Sequence, residues 1–295
     1  MEATLFQCEM EGRTNGNGSV VPGTTLTAEE IQWIGEYRLA VVKAFSSVFA
    51  EATERFLDGE RLLQRFSEAV DSVLRGASFS AVDEAHNELC TARALLLNTK
   101  PRFSSIAYEP PLPGCAKSID FRATYDPGWA AFVDVKTIKP QPKDRWEQFE
   151  RALSEGWFPQ NVTVGLSKEW LGGEIWHAWF AARARILEYT RELERKISEC
   201  GLAGRQNTVI TLALCGTGVD WHKDQLEDFV QFYRIGRHRS DDPFAKVEMH
   251  SMRNNKTTLD RTVTRFAYMK RRQGVLFPSR LIWNVQGPKD PEFDS

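Results

Sequence analysis

The side chains most able to do chemistry together lie in Lys117-Ser-Ile-Asp120-Phe-Arg122, Tyr125-Asp-Pro-Gly-Trp129 and Phe132-Val-Asp134-Val-Lys136-Thr137. The outer two runs read as strands, and Asp126-Pro127-Gly128 as the turn between them, with Gly128 suited to a positive φ. Folding about Pro127 sets residue i across from residue 254 − i, so Asp120 faces Asp134. Their Cβ atoms would then lie about 4.5–5.5 Å apart. Strand alternation puts Lys136 on the same face as Asp134. Two carboxylates this close repel, and partial burial makes the pair costly unless a cation lies between them. Mg²⁺ suits carboxylate and water oxygens, with Mn²⁺ as a substitute. Lys136 could position or deprotonate a water, or stabilise charge on a phosphate. Phosphodiester hydrolysis uses those parts.

A fourth group comes from the preceding helix. Ala81, Ala85, Glu88, Ala92 and Leu95 follow a 4-3-4-3 spacing, so Glu88 interrupts an apolar stripe that faces the sheet. A carboxylate there needs a partner. Glu84 has the more polar helical neighbours and is the reserve candidate for the same role.

The elements that must position these groups follow from periodicity. Residues 1–26 read as a flexible tail, and 27–79 as an N-terminal helical segment opened by the capping box Thr27-Ala-Glu-Glu30. Helical spacing over Ser80–Leu97 precedes extended runs at Phe103–Tyr108, Lys117–Thr124 and Ala130–Ile138. Helices are expected at Arg145–Glu155, Glu174–Cys200 and Lys223–Tyr233, with a buried strand at Thr208–Leu214. This alternation predicts an α/β fold with a mixed sheet. It divides the chain into a core over 80–235 and a basic C-terminal segment, 236–295, packed on that core.

Glu88, Asp120 and Asp134-Val135-Lys136 together resemble the restriction-endonuclease-like PD-(D/E)XK nuclease superfamily. The resemblance spans roughly residues 80 to 215, with Ile119 where that pattern has proline. It implies an α-β-β-β-α-β core, a mixed central sheet flanked by helices, and metal-dependent cleavage of nucleic acid, most often DNA. On that likeness Asp120, Asp134 and Glu88 bind metal, the Val135 carbonyl completes the shell, and Lys136 assists the attacking water. A lone [DE]-x-K is weak, since composition produces about two in such a chain. The second, Glu194-Arg195-Lys196, lies in a polar helical stretch and reads as a solvated face.

Charge placement adds a partner. Residues 1–90 carry 15 acidic and 7 basic side chains, whereas residues 231–280 carry 12 basic and 4 acidic. The basic block includes Arg234, Arg237, Arg239, Lys270, Arg271 and Arg272, which would neutralise phosphates. Phe266, Tyr268 and Phe277 among them either stack on bases or belong to the core. The N-terminal helices are the candidate surface for a second copy or a protein partner. Five dispersed cysteines without a C-x-x-C pair argue against a disulfide framework and for a reducing, cytoplasmic setting. No apolar run is long enough to span a bilayer. Two readings compete with a DNA endonuclease: an RNA-directed nuclease, and a non-catalytic nucleic-acid-binding or assembly protein on a degenerate nuclease scaffold.

Overall fold

The computed structural model describes residues 26–99, 102–125, 128–138, 174–216, 226–227, 229–230, 262–271 and 278–284, with side chains at all but 174–185, 270–271 and 278–284. Three helices come first: α1 (Ala28–Ala50), α2 (Gly59–Leu74) and α3 (Ser80–Leu97). Strands β1 (Ser105–Tyr108), β2 (Phe121–Tyr125) and β3 (Trp129–Thr137) follow. Then come α4 (Glu174–Glu199), β4 (Thr208–Cys215), β5 (Arg265–Arg271) and β6 (Pro278–Asn284). The class is mixed α/β.

Local chemistry accounts for the boundaries. The Thr27 hydroxyl accepts from the Glu30 N–H at 3.2 Å while Glu30 Oε2 accepts from the Thr27 N–H at 2.6 Å, which starts α1. Gly128 adopts φ +83°, and the hairpin closes on it. Phe121 pairs with Val133 and Tyr125 with Trp129, the register expected from folding about Pro127. The six strands lie in sequence order, with β3–β4 and β4–β5 parallel and the remaining neighbours antiparallel.

The sheet separates two cores by strand parity. Ala131, Val133, Val209, Ala213 and Ala267 join one hydrophobic cluster with Ile34, Phe45, Phe66 and Leu89 of α1–α3. Phe132, Ile210, Leu212, Leu214 and Phe266 join the other with Ile186, Leu193 and Ile197 of α4. The N-terminal helices thus pack into the same core as α3 and the sheet.

The structure departs from the sequence expectations at two points and decides between two readings at a third. The basic C-terminal segment does not simply pack on the core, because part of it forms β5 and β6 and widens the sheet. Phe266 and Tyr268 are core residues, 1% and 6% exposed, and so are not available to stack on bases. Cys115 and Cys200 form a disulfide, which removes the argument for a reducing compartment. Their separation of 85 residues left no pattern to read. The expected helix at 145–155 and residues 1–25 of the expected 1–26 tail lie outside the described residues. No helix among the described residues is long and apolar enough to cross a membrane.

Breaking this cross-link should cost about 2–4 kcal/mol, because it closes a long loop in the unfolded chain. Thermal melts of Cys115→Ser/Cys200→Ser should fall well below wild type. A non-reducing digest should yield one peptide pair joined through Cys115 and Cys200.

Candidate functional site

The hairpin brings the two aspartates together. Asp120 directly precedes β2, and the register runs on from Phe121–Val133 to set it opposite Asp134. The Val135 N–H donates to Asp120 Oδ2 at 2.5 Å, so the backbone of the opposing strand clamps this carboxylate. Asp134 is 1% exposed. Its Oδ1 accepts from Lys196 Nζ at 2.6 Å, and its Oδ2 lies 3.4 Å from Lys136 Nζ. That second contact is ionic only: Oδ2 is buried and has no hydrogen-bond partner among the described residues. Lys136 also reaches Glu192 at 3.3 Å. The order is therefore Glu192–Lys136–Asp134–Lys196, with both outer groups on α4.

Electrostatics follow the geometry. Burial pushes the Asp120 pKa up to about 7, with the Asp134 charge next in importance and Glu88 third. The Val135 N–H and Lys196 act the other way. Burial works against the Lys136 ammonium, but Asp134 and Glu192 outweigh it and hold the pKa above the ordinary lysine value. With these carboxylates free of metal, Lys136 stays charged near neutral pH. It is then a stabiliser of negative charge rather than a base.

Glu88 is placed differently from the expected ligand. It is buried, as its apolar stripe requires, while Glu84 is half-buried. Both Glu88 oxygens are already engaged: Oε1 lies 3.1 Å from Arg65, and Oε2 accepts from the Tyr108 hydroxyl at 2.7 Å. Burial raises the Glu88 pKa, against the opposing pull of Arg65 and Tyr108. Arg65 also donates to Glu109 at 2.7 Å, and Arg61 pairs with Glu109. Strand parity explains why the structure does not unite Glu88 with Asp134. Glu88 sits among the residues of the α1–α3 cluster, whereas Asp134 shares the α4 face with Phe132. Among the described residues no group of three or more His, Cys, Asp or Glu is arranged to hold a metal ion.

Two carboxylates still suffice for Mg²⁺, which keeps several waters and takes one or two protein carboxylates. The buried Asp134 Oδ2, which accepts no hydrogen bond among the described residues, and the neighbouring Asp120 carboxylate are oxygen donors of the kind such an ion takes. Val135 enters the site through its N–H.

Lys196 is the residue that sequence reasoning missed. The Glu194-Arg195-Lys196 stretch is not a solvated face: Glu194 is buried and Lys196 reaches Asp134. A signal existed in the stripe Ile186, Thr190, Leu193, Ile197 and Cys200, which sets Lys196 on the border of the inward side of α4. His86, one of five dispersed histidines, is a core residue whose Nδ1 lies 2.5 Å from the Tyr37 hydroxyl. Of the proposed phosphate-binding residues, Arg234, Arg237, Arg239 and Arg272 lie outside the described residues. Lys270 and Arg271 belong to β5 by backbone alone.

No family model, curated protein or solved structure matches the chain.

Two outcomes follow from the charges. Asp120 has a pKa raised above its unfolded value of 3.8, so the folded state binds the extra proton as pH falls from about 7 toward 4. Stability of the metal-free protein should therefore fall as pH rises through that window. Asp120→Asn, still able to accept from Val135, should remove the penalty and stabilise the protein in EDTA at pH 8. The gain should be on the order of 2–4 kcal/mol, shrinking to under half by pH 5, as read from denaturant midpoints. Arg65→Met should destabilise by about 1–3 kcal/mol, discounted for the partial exposure of the arginine, because it strands Glu88 without its cation.

Proposed function

We propose that this chain is a metal-dependent nuclease hydrolysing phosphodiester bonds of DNA, with Asp120 and Asp134 as the residues that hold Mg²⁺. The observation that carries the reading is the buried, hydrogen-bond-free Asp134 Oδ2, opposite a second carboxylate and beside a charged lysine. The order α3-β1-β2-β3-α4-β4 supports a restriction-endonuclease-like core, as the resemblance in the motifs implies.

The divalent ion, when bound, would supply a Lewis acid for an attacking water and for the phosphate. The residues of the chain do the rest. Asp120 and Asp134 hold the cation and are relieved of their mutual repulsion by it. The Val135 N–H keeps Asp120 on the Asp134 side of the hairpin. Lys136, kept charged by Asp134 and Glu192, offsets the negative charge that develops on the phosphate. The basic segment around residues 234–239 and 270–272 would supply backbone contacts to the nucleic acid, with affinity that falls as salt rises. Glu88, bound by Arg65 and Tyr108, supports the site as a charge near Asp120 rather than as the third ligand.

A second reading draws on the ion pair at Asp134. Lys196 at 2.6 Å already supplies this carboxylate with a cation, which favours a non-catalytic nucleic-acid-binding protein on the same scaffold. Cleavage of supercoiled plasmid, single-stranded DNA and RNA in Mg²⁺ or Mn²⁺ separates the two. On the nuclease reading, Asp134→Ala and Lys136→Ala each lower the cleavage rate by at least about a hundredfold, and EDTA abolishes it. Equal rates for all three proteins would remove the site assignment. Salt-sensitive binding without cleavage would leave the second reading.

A further inference from the structure

We infer that Lys196 is a positioning residue for the metal site: it holds one oxygen of Asp134 so that the other stays free for a divalent ion. The inference rests on the proposed function and deepens it. The two Asp134 oxygens have unlike surroundings. Lys196 Nζ is at hydrogen-bond distance from Oδ1, 2.6 Å, while Oδ2 has no hydrogen-bond partner among the described residues. Lys136, at 3.4 Å from Oδ2, is too far for a short charged hydrogen bond and is drawn toward Glu192 on its other side. A carboxylate held at one oxygen has its rotamer fixed, and metal-binding carboxylates depend on such partners for affinity.

Lys196 can act this way because its helix is fastened at the same end. Cys200 ends that turn and is joined to Cys115, and Lys117 pairs with Glu199. The segment that leads into Asp120 is thereby tied to the segment that carries Lys196. Four residues earlier on α4, Glu192 holds Lys136. One face of one helix turn thus sets both lysines, and each meets a different oxygen of the same aspartate. The Lys196 side chain is 20% exposed and that of Asp134 2%, so the pair is shielded from water.

The contrary role would be a competitor: an ammonium that occupies the cation's place and must be displaced. The two roles give opposite signs in one measurement. Mn²⁺ affinity is read by calorimetry and electron paramagnetic resonance on the full chain, for wild type, Lys196→Met and Lys196→Arg. As a positioning residue, Lys196 leaves Lys196→Met binding Mn²⁺ at least about tenfold more weakly, with Lys196→Arg near wild type. In cleavage assays the metal concentration for half-maximal rate rises by the same factor, and the rate at saturating Mn²⁺ stays within about threefold. Unchanged or tighter Mn²⁺ binding by Lys196→Met would overturn the inference and leave the nuclease reading intact. No Mn²⁺ binding by wild type would overturn both. Binding without cleavage would end the nuclease reading, and the affinity ratio alone would then decide the role of Lys196. Melting in EDTA reports folding, and Lys196→Gln, which keeps a shorter donor, replaces Lys196→Met if the latter does not fold.

Discussion

Two like charges that the backbone will not let separate govern this molecule. The β2–β3 register holds Asp120 across from Asp134, and an antiparallel ladder cannot slip by one residue without turning every core side chain outward. The repulsion has to be met in place. Four devices meet it: the Lys196 ammonium, the Lys136 ammonium, the Val135 N–H, and protonation of Asp120 itself. Three come from side chains or backbone set by β3 and α4, and the fourth is the cheapest response of a buried carboxyl without a cation. On the proposed reading, this site has room for one more cation, which distinguishes it from a salt bridge that satisfies itself.

Meeting the repulsion makes distant elements necessary. Lys196 lies 62 residues beyond Asp134, so its place depends on how α4 docks. The Ile186–Leu193–Ile197 stripe seats the helix on Phe132, Ile210 and Leu212, and the Cys115–Cys200 bond ties its end to the approach of β2. On the opposite face, α2 sends Arg65 to Glu88, which would otherwise stand buried and unpaired. The sheet keeps the two ion-pair systems apart by parity. Asp120, at the start of β2, is reached by charge from both.

What could be read from the sequence was local. The capping box at Thr27, the turn at Gly128, the 254 − i register and the shared face of Asp134 and Lys136 each depend on residues close in the chain, and each is found. Glu88 was legible as buried, since a carboxylate inside an apolar stripe has one place to go. Its partner was not, because Arg65 belongs to another helix and arginines on α2 carry no mark of where they reach. Lys196 was misread for a related reason: a charge beside an apolar stripe looks the same whether it faces water or a buried aspartate. The cysteine pair is a longer-range case still. β5 escaped because its aromatics and basic residues suggested a binding surface, where alternation with burial on both faces makes a central strand.

The charge distribution gains direction from the same contacts. The N-terminal segment is acidic by count, and several of its cations are spent inward. Arg55 donates to the carbonyls of Leu96 and Phe103, Arg61 and Arg65 pair with Glu109, and Arg65 adds Glu88. Arg38 is held by Asp71. On the proposed reading, a polyanion would be disfavoured on the side of the acidic helices. Asp134 and Lys136 open toward α4, not toward α1–α3. On the proposed reading, Arg65 steadies Glu88 behind the site, and the acid on these helices disfavours the approach of a nucleic acid from their side.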